Sequence, residues 1–304
     1  MQVLATGVAY ADVLMRTGLY LGVPPLPYAP GYDIVGVVEA VGSKVSRVKI
    51  GDAVAALTVT GGYSQYIALP ETELVTMPPG LDPAEAVSLV LNYTTAYQML
   101  HRIAKVKEGS RVLIHGAAGG VGTAALELGR LAGLKMWGTA SSGKHDSIRS
   151  LGGTPIDYKT EDFVAAVRQA TEDGVDVVLD PVGWGYFRRS FNALRPGGKL
   201  IGYGVSAAVN RKAGMMIALG SFAILGLLPL TSTSKSAEWF NVTMVKKKHG
   251  DWFREDLGKL MQLLVDKKIH PLVAERLPLK DAARAHELLE RAAVVGKIVL
   301  LPQV

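Results

Sequence analysis

The 304-residue chain contains no cysteine. That absence excludes disulfides, thiolate-ligated zinc and cysteine nucleophiles, and it removes any redox argument for a secreted compartment. Residues 1–7, MQVLATG, show neither a charged segment nor a long apolar run, so the expected location is the cytoplasm. An uninterrupted apolar stretch of the roughly 18 to 20 residues needed to span a membrane is also missing. The longest candidate, residues 215–230, is broken by Gly220, Gly226 and Pro229 and reads as a core or subunit-contact segment. Lys and Arg exceed Asp and Glu by only 33 to 27, giving a formal charge of +6, and they are scattered. Their one cluster, Lys246 to Lys248, reads as a solvated surface loop rather than a nucleic-acid or membrane patch. The six histidines show no paired metal spacing, so no metal site is expected.

What is present is a glycine-rich turn, His115-Gly116-Ala117-Ala118-Gly119-Gly120-Val121-Gly122. An apolar run of strand length, RVLIH, precedes it, and residues 123–134 follow with Ala and Leu at helical spacing. Strand, turn and helix stand in the order of a dinucleotide site. Gly119 permits the tight turn, Gly120 and Gly122 keep side chains away, and the helix start offers N–H groups to a pyrophosphate.

Around this turn the chain divides by pattern. Residues 1 to about 91 carry short β-branched or aromatic runs at 35–41, 53–59 and 63–69, separated by glycine turns, which suits a small barrel. Residues 83–101 read as a helix capped by Asp82. From about 110, strands near 111–115, 135–139, 176–179 and 199–202 alternate with helices at 145–151, 162–171 and 184–194. This is the βαβ rhythm of an open parallel sheet. A helix over 252–267 and a strand, helix and strand over 272–277, 279–291 and 296–301 close the chain.

A carboxylate that binds the ribose hydroxyls of NAD is expected about 20 residues beyond the first glycine. Here that place reads Thr139-Ala140-Ser141-Ser142-Gly143-Lys144, with no acid. A 2′-phosphate would meet hydroxyl donors and the Lys144 ammonium, so the sequence favours NADP(H). Lys144 is either that phosphate ligand or an exposed lysine at a helix start. Tyr158, after the next strand, either reaches the same phosphate or is an ordinary half-buried tyrosine.

The runs DVLMRTGLY (12–20), PGYDIVGVVEAVG (30–42), LNYTTAY (91–97), VLIHGAAGGVG (112–122), GTASSGKH (138–145), IDY (156–158), DPVG (180–183) and GKIVL (296–300) together resemble one family. It is the zinc-independent quinone oxidoreductase branch of the medium-chain dehydrogenase/reductase superfamily, and within it the vesicle amine transport protein type. The resemblance implies an α/β fold in which a Rossmann-type doubly wound parallel sheet, residues 92–266, is inserted into a GroES-like β-barrel domain, residues 1–91 and 267–304. Family members begin with roughly 30 more residues, so the barrel is expected to lack its first hairpin.

The same resemblance implies NADPH bound between the domains and hydride passed to a quinone or to the C=C bond of an α,β-unsaturated carbonyl, in a homodimer. Ala117, Gly119, Gly120, Val121 and Gly122 would hold the pyrophosphate, and Ser142, Lys144 and Tyr158 the 2′-phosphate. Asn92, Thr95 and Tyr203 would approach the nicotinamide, and Lys297 would lie near the pyrophosphate. For Thr95 the alternative is a helix-interior residue bonding its own backbone, and for Lys297 a surface strand residue.

Two departures matter. Gly31-Tyr32-Asp33 stands where zinc-dependent relatives carry Gly-His-Glu, and Ala9 stands where many quinone oxidoreductases have Asn. Without a metal, charge developing on a carbonyl oxygen needs hydrogen-bond donors. Tyr20 and Tyr63 are the candidates, and Asp12 is expected to hold geometry rather than move protons. The alternative class is an NADPH-binding scaffold or crystallin-like protein with little turnover.

Overall fold

The computed structural model describes residues 1–20 and 22–303. The chain forms two units, Met1–Thr94 together with Val242–Val304, and Thr95–Asn241. The return to the first unit therefore falls at Val242, well ahead of the expected 267. The helix Gly250–Val265 explains the difference: its buried stripe of Phe253, Leu257, Leu260, Met261 and Leu264 packs towards Leu89–Tyr93 of the first unit.

In chain order the strands are β1 (Gln2–Val8), β2 (Asp33–Val37), β3 (Ala53–Leu57), β4 (Val75–Thr76), β5 (Arg111–His115), β6 (Lys135–Ala140), β7 (Gly153–Asp157), β8 (Val175–Asp180), β9 (Leu194–Gly202), β10 (Ser236–Trp239), β11 (Val273–Pro278) and β12 (Lys297–Leu301). The first unit holds a six-stranded sheet in the order β11-β12-β1-β2-β3-β4. All its pairings are antiparallel except β11 with β12. Val3, Ile34 and Ala56 meet on one face of it, packed by Met1, Ile67, Leu69 and Leu74. Val8, Leu277, Ala285, Ile298 and Leu300 form a second core beneath the helix Ala282–Glu290.

Residues 63–69 do not form the expected strand. They run beside β1 and touch it through one isolated bridge, Gln2 to Tyr66, because Gly61 takes a φ of +92° and the Ser64 N–H folds back onto the Gly62 carbonyl. Lys246 to Lys248 are not a loop either. They end the helix Val242–Lys248, where Lys246 pairs with Glu73 at 2.5 Å and its ammonium lies over the Phe253 ring.

The second unit holds an all-parallel sheet in the order β10-β9-β8-β5-β6-β7. Read from β7, this is the doubly wound Rossmann order, whose switch point lies between β5 and β8. Continuous apolar runs make the central strands: Val112, Leu113, Val178 and Leu179 are all fully buried. Residues 215–230 are core on one side only, where Leu225 and Leu228 join the cluster around Phe187 and Leu200. With the turn that follows it, the helix here covers Gly214–Thr231, of which 28% is buried, and Met216, Leu219, Leu227 and Leu230 are exposed. By length and composition alone this stretch is long and apolar enough to cross a membrane.

Candidate functional site

In the second unit the carboxyl ends of the parallel strands share one edge. At the end of β5, Gly116 adopts a φ of +62°, the Gly119 N–H donates to the Gly116 carbonyl at 2.9 Å, and the helix Gly120–Leu131 begins. No side chain caps that helix and its first turn carries no acid, so its N–H groups and dipole are aimed outward without competition. Gly122 is obligatory: a Cβ there would lie 2.4 Å from the Gly116 carbonyl oxygen and 2.6 Å from the Ala117 Cα. Ala117 is fully buried at the base of the turn, its N–H donating to the Thr139 carbonyl at 3.1 Å. Gly119, Gly120 and Val121 lie on the turn and the first residues of the helix.

The strand ends beside this turn carry the other expected residues. Ser142 and Lys144 form a single helical turn just past β6, Ser142 exposed and Lys144 partly buried, with burial pulling the ammonium below its usual value. Tyr158 follows β7 and is 44% exposed. Tyr203 follows β9; its N–H donates to the Asp180 carbonyl at 3.0 Å, and burial pushes its hydroxyl above the ordinary tyrosine value. Sequence reasoning missed what braces these ends. His115 is fully buried, held below its usual pKa by desolvation, and contacts the hydroxyls of Thr139 and Ser190, each at 3.0 Å. Ser190 in turn donates to Asp180 at 2.6 Å, so one polar chain ties β5, β6 and β8. The only signal for it was polar residues at the ends of apolar strands.

Asn92 and Thr95 are both buried, in a helical stretch that widens at Leu89–Tyr93, where the Thr94 N–H reaches the Leu89 carbonyl. Such wide turns are rare and cluster at functional sites. The hydroxyl that bonds back to the backbone belongs to Thr94, onto Leu89 at 2.9 Å.

The first unit gathers the remaining candidates. Asp12 is fully buried; its carboxylate accepts the Ala9 N–H at 2.8 Å, across the start of the helix Tyr10–Arg16, and the Gly31 N–H at 3.0 Å. Desolvation pushes Asp12 up to about 7 against those two donors; the Asp33 charge adds to the rise and Lys297 opposes it. Asp12 is thus a brace. Tyr63 lies 3.0 Å from His286 Nε2 with the rings edge to face, and burial followed by the Asp12 and Asp33 charges drives its hydroxyl well up.

Lys297 is not a surface strand residue but a buried one. Its Nζ sits 2.9 and 3.3 Å from the Asp33 oxygens, and the two side chains are 2% and 0% exposed. Gly7 leaves room for it, since a Cβ at that position would meet the lysine Cε at 2.3 Å. Tyr20 hydrogen bonds to the Tyr32 hydroxyl at 2.7 Å, and Tyr32 to the Thr243 hydroxyl at 2.6 Å. Tyr32 is therefore occupied where zinc-dependent relatives would offer a metal ligand, and Asp33 is held by a cation. Among the described residues no group of three His, Cys, Asp or Glu side chains can hold a metal ion.

The zinc-binding dehydrogenase family matches residues 151–300, and the alcohol dehydrogenase GroES-like domain matches residues 1–79. The human synaptic vesicle membrane protein VAT-1 homolog is 33% identical over 98% of this chain and 77% of its own length. The chain belongs to the medium-chain dehydrogenase/reductase superfamily. Within that superfamily, the Escherichia coli quinone oxidoreductase solved with NADPH superposes with a TM-score of 0.81 at 28% identity, covering 99% of this chain and 90% of that one. The CurK enoyl reductase superposes at 0.85 and 27% identity over 99% and 90%. The first unit is accordingly the GroES-like domain and the second the Rossmann domain of this superfamily.

Proposed function

We propose that the chain is an NADPH-dependent, zinc-independent oxidoreductase that reduces quinones or the C=C bond of α,β-unsaturated carbonyls. The observation that carries the reading is the acid-free turn of Ser142 and Lys144 at the end of β6, set on the same sheet edge as the glycine turn. A 2′-phosphate there meets a hydroxyl and an ammonium, where the adenosine ribose of NAD would want a carboxylate. NADPH, when bound, supplies the hydride. Ala117, Gly119, Gly120, Val121 and Gly122 take the pyrophosphate; Ser142, Lys144 and Tyr158 take the 2′-phosphate; Asn92, Thr95 and Tyr203 are assigned to the nicotinamide. Quinone oxidoreductases and an enoyl reductase among the similar proteins support the acceptor class.

On the substrate side Tyr20 is the hydroxyl assigned to the carbonyl, because Tyr63 is committed to His286 and Asp12 to backbone N–H groups. Zinc has no place in this reading, since the chain has no thiolate and both Tyr32 and Asp33 are engaged. The exposed apolar face of Met216, Leu219, Leu227 and Leu230 is assigned to a homodimer contact, and the location to the cytoplasm. An NADPH-oxidation screen over small quinones, enones and alkenals, with NADH as control, tests the activity. Tight NADPH binding without oxidation of any acceptor would instead favour the scaffold reading. Light scattering tests the dimer.

A further inference from the structure

We infer that Tyr32 and Thr243 form a proton relay that positions and recharges Tyr20. The inference rests on the reductase reading above and supplies what that reading lacks, a source for the proton. Three hydroxyls stand in series, Tyr20 to Tyr32 at 2.7 Å and Tyr32 to Thr243 at 2.6 Å, both within good O–H···O hydrogen-bond distance. Tyr20 and Thr243 are partly exposed, whereas Tyr32 between them is 2% exposed. The chain therefore has two ends that reach the surface and a dry middle. The Tyr20 and Tyr32 rings meet edge to face with centroids 6.2 Å apart, which fixes the angle at which the hydroxyls approach.

Burial, followed by the neighbouring Tyr20, pushes the Tyr32 hydroxyl well above the usual tyrosine range. Such a group passes a proton on but does not store a charge. A tyrosine that served packing alone would need one partner for its hydroxyl; Tyr32 has two, on residues 12 and 211 positions away. Thr243 lies on the helix Val242–Lys248, so the far end of the relay is held by regular structure.

The chemistry balances as follows. Hydride addition to the β-carbon of an enone leaves an enolate with the electron pair shared between oxygen and the α-carbon. The Tyr20 O–H bond breaks and its proton goes to the enolate oxygen it already faces, giving an enol that tautomerises to the saturated carbonyl. The Tyr20 phenolate takes the Tyr32 proton, Tyr32 takes that of Thr243, and water refills Thr243. Enone, NADPH and one proton become saturated carbonyl and NADP+. Tyr20 is the catalytic residue in this scheme; Tyr32 and Thr243 act through it.

The experiment compares Tyr32→Phe, Thr243→Val and Thr243→Ser with the wild-type chain on an acceptor found in the screen. The first two remove a hydroxyl with little change of shape; the third restores one. The relay predicts that kcat falls roughly tenfold to a hundredfold in Tyr32→Phe and Thr243→Val. NADPH affinity should stay unchanged and Thr243→Ser should remain close to wild type. The dependence of kcat on the deuterium fraction of the solvent should be curved for the wild type and straight for Tyr32→Phe. The 13Cζ resonance of Tyr20, assigned by its loss in Tyr20→Phe, should move in Thr243→Val. Unchanged kcat, an unchanged curve or an unmoved Tyr20 resonance overturns the relay and leaves the reductase reading standing. A wild-type chain that turns over no acceptor overturns both.

Discussion

Replacing Lys297 by methionine separates a buried structural cation from a cofactor ligand. The lysine and Asp33 are 2% and 0% exposed, so the substitution leaves a carboxylate in the core of the GroES-like domain without its counter-charge. Breaking one partner of a buried pair costs about 3 to 5 kcal/mol. For a domain of this size each kcal/mol moves Tm by about 2 to 4 °C, so the melting temperature should fall by roughly 6 to 20 °C. Burial already raises the Asp33 pKa and Lys297 opposes that rise. Without the lysine the folded value climbs further above the unfolded one. Protonation then relieves the core charge at low pH, and the loss in Tm should be larger at pH 8 than at pH 5.5. The double variant Lys297→Met with Asp33→Asn should regain most of the loss, because no buried charge remains. Differential scanning fluorimetry at both pH values reads the stability, and tryptophan quenching by NADPH reads the binding. An unchanged Tm together with weakened NADPH binding would refute the reasoning and return Lys297 to the pyrophosphate.

Three further outcomes are expected. Burial pushes the Asp12 carboxyl up from 3.8 to about 7, so its contribution favours the fold most below about pH 4 and is lost as pH rises through 7. The stability of the wild type relative to Asp12→Asn, from urea melts, should fall by about 4 kcal/mol over that window, and a difference that rises with pH would sink this account. Lys144→Ala should weaken NADPH binding about tenfold and leave NADH binding alone, the loss of one charge-assisted contact at a partly exposed site. Equal loss for both cofactors in calorimetry would remove the 2′-phosphate assignment. Gly122→Ala should cost about 1 to 3 kcal/mol and abolish NADPH binding, since the added carbon lies 2.4 Å from the Gly116 oxygen. A variant that binds normally would show that the turn relaxes.

The Rossmann domain was legible because its signals are local. An apolar strand, a glycine turn and a helix lie within 25 residues, and the same period then repeats. What escaped depends on partners far apart in the chain. Lys297 beside Gly296 looks like any strand-end lysine; only Asp33, 264 positions away, and the space left by Gly7 reveal its burial. Tyr32 stands out in the sequence for the histidine it replaces, whereas its two hydroxyl partners lie 12 and 211 positions away, the farther one just ahead of the lysine run. The boundary at Val242 was hidden because the helix Gly250–Val265 has the same amphipathic spacing whichever domain it packs on. Residues 63–69 alternate like a strand, yet glycine turns spoil the register that would have made one.

The sheet order β11-β12-β1 carries a consequence for synthesis. Thr6, Gly7 and Val8 pair with Leu300, Val299 and Ile298, the widest separation the chain allows between two strands in register. At a ribosomal rate of about 5 to 20 residues per second, β1 waits roughly 15 to 60 seconds for that neighbour. The Rossmann domain, contiguous from Thr95 to Asn241, emerges complete in the meantime. During the interval the Thr6–Val8 edge of β1 lacks its β12 partner and is open to the same strand on an adjacent nascent chain. Polysomes that translate this message are therefore where aggregation should begin, and chaperone demand should track the synthesis of residues 242–300.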